Sequence, residues 1–190
     1  MLVSTVIDHL SNAIQAEDVG IAYVYCSYQD RLEQTLVNLL ASLLKQLLQE
    51  KQFIPKDLEN LYEEHIRRGT RPTHDEVFNL LQVSISRYSR VYIVIDALDE
   101  CSESGGRPRE LLSMVRNLTA TAISLMVTSR FIPTIAQHFE QDIQVEIRAS
   151  KEDVQRYLCG RMEQLSSCVR KSEELRATIT QAIVDRVDGM

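Results

Sequence analysis

Apolar positions fall into two rhythms along this chain. Leu2, Val6, Ile7, Leu10 and Ile14 recur at helical spacing and predict a helix over Leu2–Ala16, with Gly20 in the turn that follows. No Ser, Thr, Asp or Asn precedes that helix as a cap, so the chain opens already inside the apolar pattern. Ile21–Cys26 is a short β-rich run that predicts a buried strand. Asp30 with Glu33 reads as a capping box for a long helix to Glu50, whose stripe of Leu36, Leu39, Leu40, Leu43, Leu44, Leu47 and Leu48 faces a core. Pro55 and Gly69 bracket a helix over Lys56–Arg68, and Thr73 with Glu76 boxes the start of another, His74–Tyr88.

Val91–Ile95 follows, apolar on both faces, the mark of a central parallel strand. Ser102–Arg107 reads as an exposed loop, Pro108 opens a helix to Leu118, and Ser124–Thr128 is the next strand. Pro133 starts a short helix, and Ile143–Ile147 alternates apolar with polar as an edge strand would. Ser150 with Asp153 caps a helix to Gln164, and Ser172 caps a last one to Val187. Strands alternating with helices predict an α/β fold, a parallel sheet with helices on both faces. A boundary near Ala149–Ser150 divides residues 1–149 from an all-helical segment, 150–190.

Composition narrows the function classes. The 190 residues carry a net charge of −6, which disfavours a nucleic-acid partner. No apolar run approaches the roughly 20 residues of a membrane helix, and no charged n-region with an apolar h-region opens the chain, so the expected setting is cytoplasmic, with no membrane contact. Cys26, Cys101, Cys159 and Cys168 show no CxxC spacing and read as reduced thiols. The four histidines are scattered without ligand spacing, so no zinc site is expected.

The candidate chemistry lies at strand ends, where open parallel sheets bind ligands. Val91–Ile95 runs into Asp96-Ala97-Leu98-Asp99-Glu100: a doubly buried strand that delivers one carboxylate rigidly, with two more acids just beyond. That is the physical form of a Walker B strand. Asp96 is placed to hold a phosphate-bound Mg²⁺, and Asp99 or Glu100 to orient or deprotonate an attacking water. One strand later come Ser129 and Arg130, a polar residue and a permanently charged fork of donors suited to reading a terminal phosphate.

VYIVIDALDEC at Val91–Cys101 and LMVTSR at Leu125–Arg130 resemble the Walker B and sensor-one segments of NACHT-type signalling NTPases, in the STAND branch of P-loop ATPases. The closest likeness is to fungal NACHT proteins and the nephrocystin-like N-terminal module. The order of a strand ending in YCSYQD, then QT, then LLASLLKQLL is similar too, and the resemblance spans nearly the whole chain. It implies a P-loop NTPase-like three-layer fold and an ATP–Mg²⁺ switch in a larger protein. In such a protein Asp96 holds the metal, Asp99 or Glu100 positions water, and Ser129 and Arg130 meet the nucleotide. Implied partners are an effector domain, C-terminal repeats and further copies in a homo-oligomer.

The chain departs from that family at its defining motif. No GxxxxGK[ST] occurs, and none of Lys45, Lys51, Lys56, Lys151 and Lys171 follows a glycine. The expectation is therefore a fragment starting just after the phosphate loop, lacking the P-loop strand, weak in nucleotide binding and unstable through its unpaired sheet edges. Two other readings stay open: a degenerate NACHT-like scaffold that acts without nucleotide, and an unrelated doubly wound protein whose acids bind a metal.

Overall fold

Five apolar or aromatic side chains in a row, Val91–Ile95, cannot all face one layer, and the central strand of this protein shows the result. In a computed structural model, Arg90–Asp96 (β2) is flanked on one side by Val19–Tyr25 (β1) and on the other by Ile123–Val127 (β3), all parallel, in the order β1-β2-β3. Residues 2–14, 18–30, 32–51, 54–101, 107–118 and 123–186 are described. The expected loop Ser102–Arg107, the end of the first helix at Ala16 and the close of the last at Val187 fall wholly or partly outside them.

The register sorts the faces. Ala22, Val24, Val91, Ile93, Ile95, Leu125 and Val127 point to one side, where they meet Leu36–Lys51 (α2), His74–Ile85 (α4) and Arg107–Leu118 (α5). Tyr23, Val94 and Met126 point to the other side and pack on Val3, Ile7 and Leu10 of Leu2–Ala13 (α1). Lys56–Arg68 (α3) buries no residue fully; Leu58 and Leu61 lean on the larger core. The result is the three-layer arrangement read from the sequence, a parallel sheet covered on both faces.

Local signals explain most helix ends. Gly69 takes φ 63°, the left-handed cap that ends α3 where a side chain would be strained. Thr73 and Glu76 form the expected capping box at the start of α4, although the helix stops at Ile85 instead of Tyr88. Asp30 and Glu33 do not cap α2. Asp30 instead accepts the amides of Glu33 and Gln34 in a turn, and Thr35 Oγ1 accepts the Asn38 amide at the true helix start. Gly20 belongs to β1, not to a turn: a Cβ there would lie 2.8 Å from Leu47 Cδ2 and 3.0 Å from the Tyr88 ring.

By compactness the chain divides into Met1–Glu140 and Gln141–Met190. The first unit closes with Pro133–Ala136 (α6) and a 3₁₀ turn, Gln137–Phe139. In the second, Lys151–Met162 (α7) starts at the expected Ser150–Asp153 box. A short helix that the pattern did not announce, Ser167–Lys171 (α8), precedes Glu173–Val184 (α9), which Ser172 caps through the Leu175 amide. The strand expected at Ile143–Ile147 is absent. That stretch joins no ladder, and Ile143 is 97% exposed. Alternation makes a strand possible, but only a paired neighbour satisfies its backbone and makes one.

The cysteines also differ from expectation. Cys26 and Cys101 are joined as a disulfide, with Cα atoms 5.3 Å apart, while Cys159 and Cys168 are free and exposed. Spacing could not reveal the bond, because the partners lie 75 residues apart. Strand pairing brings them together: the Cys26 amide donates to the Asp96 carbonyl, and the turn after β2 folds Cys101 back beneath it.

Candidate functional site

Ile95 pairs with Val127, so the next residues, Asp96 at the end of β2 and Thr128 just past β3, emerge side by side at the carboxyl end of the sheet. The Thr128 hydroxyl donates to Asp96 Oδ1 at 2.5 Å and accepts the Ala97 amide at 2.9 Å. The ladder continues past the strands, with the Thr128 amide donating to the Ile95 carbonyl and the Leu98 amide to the Thr128 carbonyl, both at 2.9 Å. Asp96 is thus fixed from two directions. Its second oxygen, Oδ2, has no hydrogen-bond partner among the described residues.

Ala97 sits at φ 52°, the only non-glycine residue with positive φ among those described. This left-handed step, costing an alanine about 1 kcal/mol, turns the chain sharply into the 3₁₀ turn Leu98–Glu100. Leu98 plugs the core, fully buried. Asp99 is directed instead toward the loop after β3.

There Asp99 holds Arg130 with both oxygens. Oδ2 accepts Arg130 Nε at 2.5 Å, and Oδ1 accepts the Arg130 backbone amide at 3.0 Å. Burial by itself pushes the Asp99 carboxyl up, but the bonds from the Arg130 side chain and amide outweigh it and hold the acid below its usual range. The same bond, with added attraction from Glu100, raises the guanidinium's pKa further. The Asp99 side chain is 3% exposed and that of Arg130 79%, so a buried acid anchors a cation that reaches into solvent. Glu100 Oε2 accepts the Tyr28 amide at 3.3 Å, tying the turn to the chain just beyond β1.

Asp96, Asp99, Glu100 and Arg130, drawn from two strand ends, therefore share one end of the sheet. Ser129 stands beside them in sequence, but its hydroxyl is engaged with the Arg130 carbonyl at 2.8 Å. Thr128, which reasoning from the sequence passed over as the last strand residue, contacts Asp96 directly. The sign that could have found it is a hydroxyl-bearing residue at the tip of a strand adjacent to an acid-tipped one.

The family whose pattern matches the chain is described as nephrocystin 3, N-terminal, and the match covers residues 1–130. The chain belongs to this family. The matched stretch of the nephrocystin 3 N-terminal family contains the whole sheet, the acidic turn and Arg130. No curated protein matches the chain.

Among the described residues of this nephrocystin-type module, no three His, Cys, Asp or Glu side chains lie close enough to hold a metal ion by themselves. A single carboxylate with one free oxygen fits a different arrangement. In it, protein supplies one ligand or a water contact, and phosphates supply the rest, as is usual for Mg²⁺. An apolar groove of about 540 Å³ between α2, α3 and α4, lined by Leu44, Leu48, Leu58 and Leu61, carries none of these groups.

Proposed function

We propose that this module supplies the metal-holding and phosphate-sensing side of an ATP–Mg²⁺ site in a NACHT-type signalling switch. The observation that carries the reading is the pairing of Thr128 with Asp96 and of Asp99 with Arg130 at one end of the sheet. Asp96, locked in place by Thr128, offers Oδ2 to the hydration shell of the metal. The ion neutralises charge on the phosphates, as Mg²⁺ does in such sites. Glu100, whose carboxylate accepts the Tyr28 amide at 3.3 Å, orients the attacking water. Asp99 is a positioning residue: both its oxygens are committed to Arg130, so it aims that cation toward the terminal phosphate instead of touching water itself.

The switch follows from the same contacts. Arg130 is paired with the buried carboxylate of Asp99, and a terminal phosphate competes for its remaining guanidinium donors. Shifting Arg130 pulls on the Asp99 turn and on the loop after β3, and those segments pass the change to the effector, repeat or sister-subunit surfaces that such a switch controls. The phosphate cradle comes from another segment, since no GxxxxGK[ST] stands among the 190 residues, and affinity at the strand tips alone is weak.

Equilibrium binding of Mg²⁺–ATP and Mg²⁺–ADP tests the assignment. Asp96→Asn should weaken both nucleotides by about tenfold. Arg130→Ala should weaken ATP by a similar factor and leave ADP unchanged, because only the triphosphate has the terminal group. Equal loss for both nucleotides with Arg130→Ala, or none with Asp96→Asn, would reject these roles.

A further inference from the structure

Three links converge on the joint between β1 and the acidic turn. The Cys26 amide donates to the Asp96 carbonyl at 3.0 Å, the Tyr28 amide donates to Glu100, and the side chains of Cys26 and Cys101 are covalently bonded. The first two are ordinary hydrogen bonds at the sheet's edge. The third closes a loop between residues 75 apart and fixes Cys101, the residue next to Glu100, against the tip of the strand. Both cysteines belong to the main core and are nearly covered, 6% and 5% exposed. Each is also the first residue past an element: Cys26 follows β1, and Cys101 follows the 3₁₀ turn, its amide donating to the Leu98 carbonyl.

We propose that Cys26–Cys101 is a thiol–disulfide switch that clamps the acidic turn onto β1 when oxidised and frees it when reduced. The reductant is a dithiol of the thioredoxin class. One of its thiolates attacks one protein sulfur, breaking the bond, freeing the other cysteine as a thiol and forming a mixed disulfide; its second thiol then attacks that mixed disulfide and expels the cysteine still held in it. Two electrons and two protons pass to the protein pair, leaving two protein thiols and one oxidised dithiol. Two buried thiols pack as small apolar groups, so the core survives reduction. What is lost is the tether at the Glu100 end of the turn: Leu98 stays in the core and Asp99 stays paired with Arg130, while Glu100 is free to leave the Tyr28 amide. Because the sulfurs lie under the turn, exchange proceeds through opening of the turn, whereas the exposed Cys159 and Cys168 react at all times.

The test uses the full chain equilibrated in graded mixtures of reduced and oxidised dithiothreitol and needs no nucleotide, so its outcome is separate from the reading above. Alkylation mapped by mass spectrometry should show Cys26 and Cys101 becoming reactive together, with Cys159 and Cys168 labelled throughout. Hydrogen exchange at the amides of Tyr28, Glu100 and Cys101 should speed by about tenfold on reduction, with the β2 amides unchanged. Cys101→Ser should show the fast exchange without reductant. Full alkylation of Cys26 and Cys101 in oxidised, denatured protein would overturn the proposal, because no bond would exist. Unchanged exchange on reduction would overturn it too. So would loss of protection across β2, which would make the bond a staple of the whole fold instead of a switch.

Discussion

Thr128 and Asp96 stand at the ends of neighbouring strands and share a hydrogen bond of 2.5 Å from hydroxyl to carboxylate. The hydroxyl also accepts the Ala97 amide, so one small group fixes both the acid and the backbone step beside it. Thr128→Val keeps the shape and removes both bonds. It should lower stability by about 1–3 kcal/mol, the cost of leaving partly buried polar groups without a partner. Thr128→Ser should recover most of that, and urea unfolding of the three proteins provides the comparison.

The Asp99–Arg130 pair gives a signed dependence on pH. The folded state holds the Asp99 carboxyl below its unfolded value of about 3.9. Its contribution is therefore complete above that value and lost as pH falls through the lower, folded one. Arg130→Ala removes the side-chain partner, so its acid unfolding should begin at a higher pH than wild type. Circular dichroism between pH 6 and pH 2 reads the midpoint, and identical midpoints would contradict the pairing.

Gly20 has no space for a side chain. A methyl group would meet Leu47 Cδ2 at 2.8 Å and the Tyr88 ring at 3.0 Å, both in the tightly packed layer between β1 and α2. Gly20→Ala should cost about 1–3 kcal/mol through overpacking, measured by thermal or urea unfolding. Gly160, where an added Cβ would meet nothing within 4 Å beyond its own helix, is the control position: Gly160→Ala, inside α7, should stabilise slightly.

Tyr88 should govern alkaline stability. Burial, aided by the charge of nearby Glu50, pushes its phenol up to about 12, and its hydroxyl donates to the Leu47 carbonyl. A raised folded value means stability is fully present below the unfolded pKa of about 10 and is lost as pH rises from there toward 12. Tyr88→Phe should be less stable by about 1 kcal/mol at neutral pH and should lose less between pH 10 and pH 12. Urea midpoints across that range decide it; parallel curves for the two proteins would show that Tyr88 is not the group involved.

Much of the fold was legible because the relevant signals are local. The boxes at Thr73–Glu76 and Ser150–Asp153, the Gly69 cap and the doubly buried Val91–Ile95 each depend on residues within a few positions of one another. Spacing alone misled where the surrounding chain decides the outcome. Asp30 and Glu33 have capping-box spacing but sit in a turn, and Ile143–Ile147 alternates without a strand to pair with. At the candidate site, the order of apolar strand, acid and arginine singled out Asp96, Asp99 and Arg130, which the structure brings to one end of the sheet. The roles of Thr128, of Ala97 with its left-handed backbone, and of the Cys26–Cys101 bond come only from the pairing of strands far apart along the chain.

The central claim is that the strand tips bearing Asp96 and Arg130 receive a metal-bound nucleotide. Paramagnetic broadening by Mn²⁺–ATP in the amide NMR spectrum of the full chain tests it directly, and it registers even weak binding. The amides of Asp96, Ala97, Thr128 and Arg130 should broaden first with Mn²⁺–ATP, far less with Mn²⁺ alone, and not at all in Asp96→Ala. Equal broadening by Mn²⁺ alone would make this a simple metal site, and broadening elsewhere, or none at millimolar nucleotide, would contradict the account.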